Sequence, residues 1–364
     1  MYLTMRYRVR DKHAVELSRQ ARAVNDVWNY CNEAQIHAAS RGRAWPNYYD
    51  FHRLTSGTAP ILNIYSDTVH DVCRRYEQSR RQQKLPWLDW RTPKSLGWVP
   101  FQRRNIALVP GGFRFRGKII NVFHERRWPE GAKLRYGSFC SDTRGRWYLN
   151  LTLLLGNLPA SPPSSKAIGV DLGLKDLAVL SNGERIKAPQ HFRRAESRFS
   201  DAQRANKRKL RRSLAAKIRN CRHDYLHKIS KALTSEYGII VAGDISSEQL
   251  ARTRMAKSVL DAGWSTFRQM LSYKSIRNGV RYVEVKEHMT TRTCSCCGET
   301  HNEWPRGIAG LGIREWTCVA CGCHHDRDVN AARNILARGL ASLAEGAAKE
   351  RSSQHPQGFS VGGT

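Results

Sequence analysis

Acidic residues and long apolar runs are both scarce in this chain. Its 364 residues include 31 Asp and Glu against 61 Lys and Arg, which gives a formal net charge of +30. No apolar run approaches the about 20 residues that a membrane-spanning helix needs. A positive surplus of this size usually meets a polyanion, because each cation that contacts a phosphate releases condensed counterions. The sequence therefore predicts a nucleic-acid partner and no membrane.

Residues 1–6 lack the apolar core of a signal peptide, so we expect a cytoplasmic protein. Four of the ten cysteines are scattered, and we interpret them as small buried side chains. The other six lie between Cys294 and Cys323. Because a reducing cytoplasm keeps thiols free, a cluster this tight predicts metal ligation.

Two periodicities organise the first 160 residues. Residues 1–10 and short runs within 87–160 alternate between apolar and polar positions, which predicts an antiparallel β unit, either a sandwich or a barrel. Over 11–86 apolar residues recur every three or four positions, which predicts a helical domain. The Ser-Pro-Pro-Ser-Ser segment at 161–165 predicts a linker and the main domain boundary.

Strands and helices alternate beyond the linker, in the order strand, hairpin, helix, strand, helix, strand, helix. This order predicts a multidomain α/β protein with an RNase H-type domain formed by 166–290 and 324–340. The cysteine-rich segment at 291–323 interrupts that domain. Residues 341–364 show no clear period, so we expect a disordered tail there.

The cysteine spacing is that of a zinc ribbon. Two C-x-x-C pairs stand twenty residues apart, and each pair forms a tight knuckle whose thiolates converge. The four expected ligands of a closed, structural Zn²⁺ site are Cys294, Cys297, Cys318 and Cys321. Cys296 and Cys323 are left over, and either His324 or His325 is able to replace one ligand.

Two aspartates stand at the ends of elements that lie far apart in the sequence. Asp171 ends a buried strand, and Asp328 begins the helix after the ribbon. Phosphodiester cleavage by two Mg²⁺ ions, about 4 Å apart, requires hard oxygen ligands brought together in this way. Taken singly, each aspartate is more typical of a helix cap or a turn. We keep that interpretation for Asp176 and Asp326.

Four segments together match one family. They read GVDLGLKD at 169–176, DAGWSTFR at 261–268, TCSCCG at 293–298 and DRDVNAARN at 326–334. They resemble TnpB, the OrfB-type protein of bacterial insertion sequences that is regarded as the ancestor of type V CRISPR effectors. The resemblance is specific over 166–340, and it indicates a branch with an altered second RuvC motif.

The resemblance implies a RuvC nuclease domain with an inserted zinc ribbon, preceded by a wedge β-barrel (1–10 and 87–160) and a recognition lobe (11–86). It implies a prokaryotic RNA-guided DNA endonuclease, in the cytoplasm and on the nucleoid when bound to DNA. Its partners are a guide RNA from the transposon end and double-stranded target DNA beside a short transposon-adjacent motif. Cleavage then depends on Mg²⁺, and the protein reads the RNA–DNA duplex by its shape and backbone.

The most basic stretch is the predicted helix over 193–231, with 14 Lys and Arg against three acids. We expect it to line the nucleic-acid channel, although a solvated charged face would have the same composition. The residues that we predict to contact nucleic acid are Arg204, Lys207, Arg208, Arg211, Arg212, Lys217, Arg74 and Arg75.

The second RuvC motif of TnpB normally ends its strand with Glu-Asp, but here Gly243 precedes Asp244. Asp244 is a poor substitute, because adjacent strand residues face opposite sides of a sheet. Alternatively, Glu287 supplies the carboxylate from the end of the neighbouring strand, and Gly243 leaves room for it. Glu284 and Glu248 are weaker candidates for that role.

We therefore assign Asp171, Glu287 and Asp328 as the catalytic Mg²⁺ ligands. If Glu287 does not replace the missing glutamate, the protein is a nuclease-dead, RNA-guided DNA-binding repressor. A transposase that uses the same acids is a third hypothesis, which the absence of an apparent end-binding domain makes less favourable.

Overall fold

The computed structural model divides the chain into two units, Met1–Asn157 and Leu158–Thr364. It describes residues 1–124, 126–156, 161–245, 256–300 and 312–353, with side chains as far as 345. The division falls a few residues before the predicted linker at 161–165. None of the helices in these ranges combines the length and apolarity that crossing a bilayer requires.

Seven antiparallel strands form two sheets in the first unit. They are β1 (Tyr2–Arg8), β2 (Trp98–Gln102), β3 (Ile106–Val109), β4 (Gly112–Phe115), β5 (Lys118–Asn121), β6 (Lys133–Ser141) and β7 (Trp147–Leu154). The sheet orders are β1-β7-β6-β2 and β3-β4-β5, and a bridge between Val9 and Val122 links the two sheets. Phe101, Phe115 and Phe139 pack against one another in the core between them, with their rings tilted or edge-to-face. The predicted β unit therefore consists of two linked sheets around one core.

The described residues of the first unit also form four helices: α1 (Ala14–Ser40), α2 (Tyr48–Leu54), α3 (Thr58–Leu62) and α4 (Ser66–Gln83). The two long helices α1 and α4 account for the helical period that the sequence shows over 11–86, whereas α2 and α3 are too short to show a period. Leu17 of α1 packs into the β core, and Trp28 packs against Tyr76 of α4 in a second cluster. Because α1 belongs to both clusters, residues 11–86 and the β unit form one compact unit rather than two separate domains.

The second unit contains a five-stranded mixed sheet. Its strands are β8 (Ala167–Leu172), β9 (Asp176–Leu180), β10 (Arg185–Lys187), β11 (Ile239–Gly243) and β12 (Arg281–Val285). The order is β10-β9-β8-β11-β12, with β8, β11 and β12 parallel and the other two antiparallel. Its helices within the described ranges are α5 (His191–Arg204), α6 (Arg208–Glu236), α7 (Ala256–Ala262), α8 (Trp264–Asn278) and α9 (Arg327–Ser353). The succession of elements agrees with the one that the sequence predicted.

Opposite faces of this sheet carry different helices. Ile168 and Ile240 point into the core that α6 and α8 cover. On the other face α9 approaches so closely that a Cβ on Gly169 would lie 2.1 Å from the carbonyl oxygen of Ala332. Strand alternation therefore puts the odd-numbered residues of β8 and β11 beside α9.

Three boundaries differ from the sequence predictions. The basic stretch over 193–231 is two helices, because Asn206 adopts a left-handed backbone conformation (φ 49°) between α5 and α6. The expectation of a disordered tail over 341–364 is wrong for residues up to 353, where strong helix formers such as Ala and Leu continue α9. Residues 354–364 lie outside the described ranges. The ribbon hairpin, β13 (Glu315–Thr317) and β14 (His324–Asp326), ends at 326 rather than at 323.

Candidate metal centres

Three carboxylates approach the same edge of the five-stranded sheet. Asp171 is the penultimate residue of β8, Glu287 follows β12 by two residues, and Asp328 lies in the first turn of α9. Because β8, β11 and β12 are parallel, their carboxyl ends meet at this edge. Asp171 also lies on the α9 face, since Gly169 of the same strand contacts that helix.

The side chain of Glu287 occupies the space next to Gly243. A Cβ built on Gly243 would lie 1.9 Å from Oε1 of Glu287 and 2.6 Å from its Cγ and Cδ. Gly243 pairs with Val285, so the carboxylate reaches over from the neighbouring strand end. Any side chain at 243 would displace this carboxylate. The sequence analysis expected this arrangement, in which Gly243 leaves room for Glu287.

Burial and neighbouring charges shift the pKa of Asp171 and of Glu287. Burial raises the pKa of Asp171 well above its usual range, and the charges of Glu287 and Asp328 raise it further, while Arg327 lowers it. Burial also raises the pKa of Glu287 to about 7, and the Arg268 guanidinium partly offsets this. Oε1 of Glu287 is buried and has no hydrogen-bond partner within the described part of the chain. Crowded carboxylates with an unsatisfied oxygen form a site that a cation would stabilise.

Two arginines hold Asp328. Nη1 of Arg185 lies 3.5 Å from Oδ2 of Asp328, and Nη1 of Arg314 lies 3.3 Å from the same oxygen. Arg185 also pairs with Asp176 at 3.0 Å and with Asp326 at 2.5 Å. Asp326 accepts two backbone N–H groups of the first turn of α9, at 3.1 and 2.9 Å, so it caps the helix as predicted.

Asp244 and Glu284 belong to the opposite face of the sheet, although the charge of Asp244 still raises the pKa of Glu287. Arg268 of α8 pairs with both Asp244 and Glu284, on the sheet face opposite α9. The expected opposite orientation of Asp244 is therefore observed. Glu248 lies outside the described residues.

Two asparagines of α9, which the sequence analysis did not single out, fix the loop that carries Glu287. Nδ2 of Asn330 donates to the carbonyl oxygens of Thr290 and Thr293, at 3.2 and 2.8 Å. Nδ2 of Asn334 donates to the same oxygens at 2.8 and 2.7 Å. Thr290 in turn donates its hydroxyl to the carbonyl oxygen of Glu287 at 2.8 Å. The signals in the sequence are their place in the DRDVNAARN segment at 326–334 and their i, i+4 spacing, which puts both on one helix face.

The four predicted cysteine ligands converge. The sulfur atoms of Cys294, Cys297, Cys318 and Cys321 all lie within 4.8 Å of one another. In each knuckle a glycine N–H donates to the carbonyl of the first cysteine, from Gly298 at 2.9 Å and from Gly322 at 2.8 Å. Both glycines have positive φ, which this tight turn requires. The cluster is suited to a tetrahedral metal ion with soft ligands.

The predicted nucleic-acid contacts lie on the surface of their own units. Arg204, Lys207, Arg208, Arg212 and Lys217 are exposed, and Arg211 is half-buried. In the first unit the exposed Arg74 and Arg75 line a cleft of about 710 Å³, together with Trp28, Arg91 and Trp98. Cationic and aromatic groups of this kind suit phosphates and stacked bases.

Comparison with known proteins identifies two domains in the C-terminal part. The family model described as "Probable transposase" (OrfB_IS605) matches residues 150–254. The model described as "Cas12f1-like, TNB domain" matches residues 264–335. Together they cover most of the second unit.

Curated relatives match about three fifths of the chain. A "Putative RNA-guided DNA endonuclease" of Streptomyces pristinaespiralis is 37% identical over 62% of this chain and 58% of its own length. The "Putative RNA-guided DNA endonuclease InsQ" of Escherichia coli K12 is 30% identical over 57% of each chain. This chain thus spans less than two thirds of these relatives. A cryo-EM structure of a Cas12f1–sgRNA–target DNA complex covers 92% of this chain and 99% of that chain, at 14% identity and a TM-score of 0.37.

The second unit therefore matches the models of an OrfB-type probable transposase and of a Cas12f1-like TNB domain. Within that class the resemblance to TnpB, which the motifs of residues 166–340 indicated, is confirmed.

Proposed function

We propose that this protein is an RNA-guided, Mg²⁺-dependent DNA endonuclease whose metal ligands are Asp171, Glu287 and Asp328. The observation that carries the proposal is the side chain of Glu287 in the space beside Gly243, at the strand edge that also bears Asp171. A carboxylate supplied from the next strand gives the site the third acid that its second RuvC motif lacks. The relatives named as RNA-guided DNA endonucleases support the same activity.

The donor set fits magnesium. All three groups are hard oxygen donors, and the buried, unsatisfied Oε1 of Glu287 gains a partner when a cation is held. Bound Mg²⁺ would activate the attacking water and stabilise the leaving oxygen of the phosphodiester. Arg185 and Arg314 keep Asp328 in place and add positive charge where a phosphate would bind. The four-cysteine cluster holds a Zn²⁺ ion. This ion is structural rather than catalytic, because four thiolate ligands leave no open coordination position for a substrate or water.

Magnesium cleavage is tested with Glu287→Gln, and Glu284→Gln is the matched control. Both variants remove one charge from neighbouring positions, but Glu284 faces Arg268 on the opposite side of the sheet. The RNA-bound protein is mixed with matched plasmid and Mg²⁺, and linearisation is followed beside target binding. We expect Glu287→Gln to lower cutting by more than about 100-fold with binding retained, and Glu284→Gln to cut normally. Normal cutting by Glu287→Gln would refute the assignment.

A nuclease-dead, RNA-guided repressor is the second candidate, and Gly243 favours it because glycine offers no side-chain ligand. The same assay separates the two functions. A wild-type protein that binds the matched target but leaves it uncut at every Mg²⁺ and Mn²⁺ concentration would be a repressor. Joining of transposon ends in the absence of guided cutting would instead indicate a transposase.

We propose that the nucleic-acid partners are a guide RNA from the transposon end and double-stranded target DNA. The support is the net charge of +30 and the exposed basic residues around the start of α6. Lys207→Glu with Arg208→Glu is expected to weaken RNA binding by more than about 10-fold and to flatten its salt dependence. The control, Lys228→Glu with Lys231→Glu, makes the same charge change near the other end of α6. Equal weakening by both pairs would contradict a localised contact.

A further inference from the structure

Two donors that are not among the four cysteine ligands lie beside them: Cys296 and His325. The sulfur atoms of Cys294 and Cys296 and a ring nitrogen of His325 all lie within 4.8 Å of one another. His325 is 2% exposed, and its Nε2 lies 3.1 Å from the sulfur of Cys294. The buried imidazole of His325 therefore points at the thiolate of Cys294. Together with the exposed Cys296 they form a second donor group, which shares only Cys294 with the four-cysteine cluster.

Cys323 packs against the buried cluster that contains Cys294 and Cys318, but its sulfur is not among the donors that lie within 4.8 Å of one another. Two sulfurs and one imidazole nitrogen are donors that suit zinc, and a water molecule would complete the tetrahedral shell.

We propose that the ribbon binds two soft divalent cations, the second held by Cys296 and His325 and bridged to the first through the thiolate of Cys294. Four thiolates around a single Zn²⁺ leave a net charge of −2, and a shared thiolate spreads this charge over two cations. Cys296 releases its proton to solvent when the ion binds, so no oxidant or reductant is involved.

The second ion has a structural consequence for α9. His325 lies in β14 and directly precedes Asp326, the residue that caps α9. Binding through His325 therefore connects the ribbon metal to the helix that carries Asp328. A simpler arrangement is a single ion with the Nε2–H of His325 donating to Cys294, and zinc counting separates the two arrangements.

The test measures zinc in the purified full-length protein with its bound RNA, after incubation with Zn²⁺ and removal of loose metal by a weak chelator. We expect two zinc ions per wild-type chain and one in Cys296→Ser. Cys221→Ser is the matched control, because it also replaces one thiol but lies on α6, outside the cysteine cluster. This control should retain two ions.

His325→Ala provides an independent variant and should also bind one zinc ion. Because Cys296 is exposed, its serine variant keeps the test valid even if His325→Ala does not fold. Cd²⁺ substitution should give two cadmium NMR signals in the wild type and one in Cys296→Ser. A single ion in the wild type, or an unchanged count of two in Cys296→Ser, would overturn the proposal. Loss of an ion in Cys221→Ser would do the same.

Discussion

The carboxylate of Glu287 and the α-carbon of Gly243 are so close that a Cβ on Gly243 would lie 1.9 Å from Oε1. The two residues stand at the ends of adjacent parallel strands, β12 and β11. A glycine in β11 and a glutamate after β12 therefore occupy together the volume that one glutamate in β11 would fill. This relation makes the size of the side chain at 243 a direct test of the site.

Gly243→Ala should abolish guided cutting and leave target binding intact, because the new methyl group displaces the carboxylate of Glu287. Gly312→Ala is the matched control, since a Cβ there meets nothing within 4 Å and the backbone needs no positive φ. Plasmid linearisation checks the result. Equal activity of the two alanine variants would show that the position of Glu287 is not important for cutting.

Moving the carboxylate back to β11 should restore part of the activity. Glu287→Gly alone is expected to be inactive, and adding Gly243→Glu should recover measurable Mg²⁺-dependent cutting, because the new side chain starts in the volume that Glu287 vacates. The comparison is between the single and the double variant in one assay. No recovery in a folded double variant would argue against equivalence of the two positions.

Arg185→Lys should lower cutting by about 10-fold, mainly by weakening Mg²⁺ affinity. One guanidinium bridges Asp176, Asp326 and Asp328, and a single ammonium does not reproduce that geometry. The measurement is a Mg²⁺ titration of the cutting rate. Arg193→Lys, in an exposed pair with Glu196, is the control and should behave as wild type.

Asn334→Ala should destabilise the second unit by about 1–3 kcal/mol, because the carbonyl oxygens of Thr290 and Thr293 each lose a hydrogen bond near Glu287. Chemical unfolding measures this change, and the cutting rate of the folded fraction should fall as well. Asn220→Ala, at an exposed position of α6, should change neither quantity. A destabilisation equal to that of the control would show that these bonds contribute little.

The free energy of unfolding of the metal-free protein should decrease as the pH rises towards and through about 7. The pKa of Glu287 is raised to about 7 by burial, so in the folded state the group stays protonated where an unfolded glutamate has already ionised. The contribution of Glu287 to stability is complete below the pKa that a glutamate has in the unfolded chain. It is lost as the carboxyl group ionises in the folded protein. Asp171, whose pKa is also raised, acts in the same direction.

Melting temperatures between about pH 5 and pH 8 check this dependence. Mg²⁺ should raise the melting temperature more at pH 8 than at pH 6, because it binds the ionised carboxylates. Glu287→Gln should flatten both trends, and Glu284→Gln should leave them unchanged. A profile of Glu287→Gln that matches the wild type would contradict the assigned pKa shift.

Local pattern was sufficient to predict several elements. Alternation over Trp147–Leu154 gives β7 a buried and a half-exposed face along its whole length, and the C-x-x-C spacing identified four thiols that do converge. Local pattern did not predict the helix boundaries that depend on interactions beyond the local sequence. The break at Asn206 and the continuation of α9 to Ser353 carry no clear change of hydrophobic period.

The sequence by itself determined the succession of strands and helices, the basic character and the two sets of donor residues, because these depend on residue type and short-range spacing. Only the tertiary structure decided which acid lies beside Gly243, since parallel pairing of β11 with β12 brings together residues that are 44 positions apart. It also decided that Arg268 holds Asp244 and Glu284 on the other face. Strand register and helix packing, rather than any motif, set these contacts.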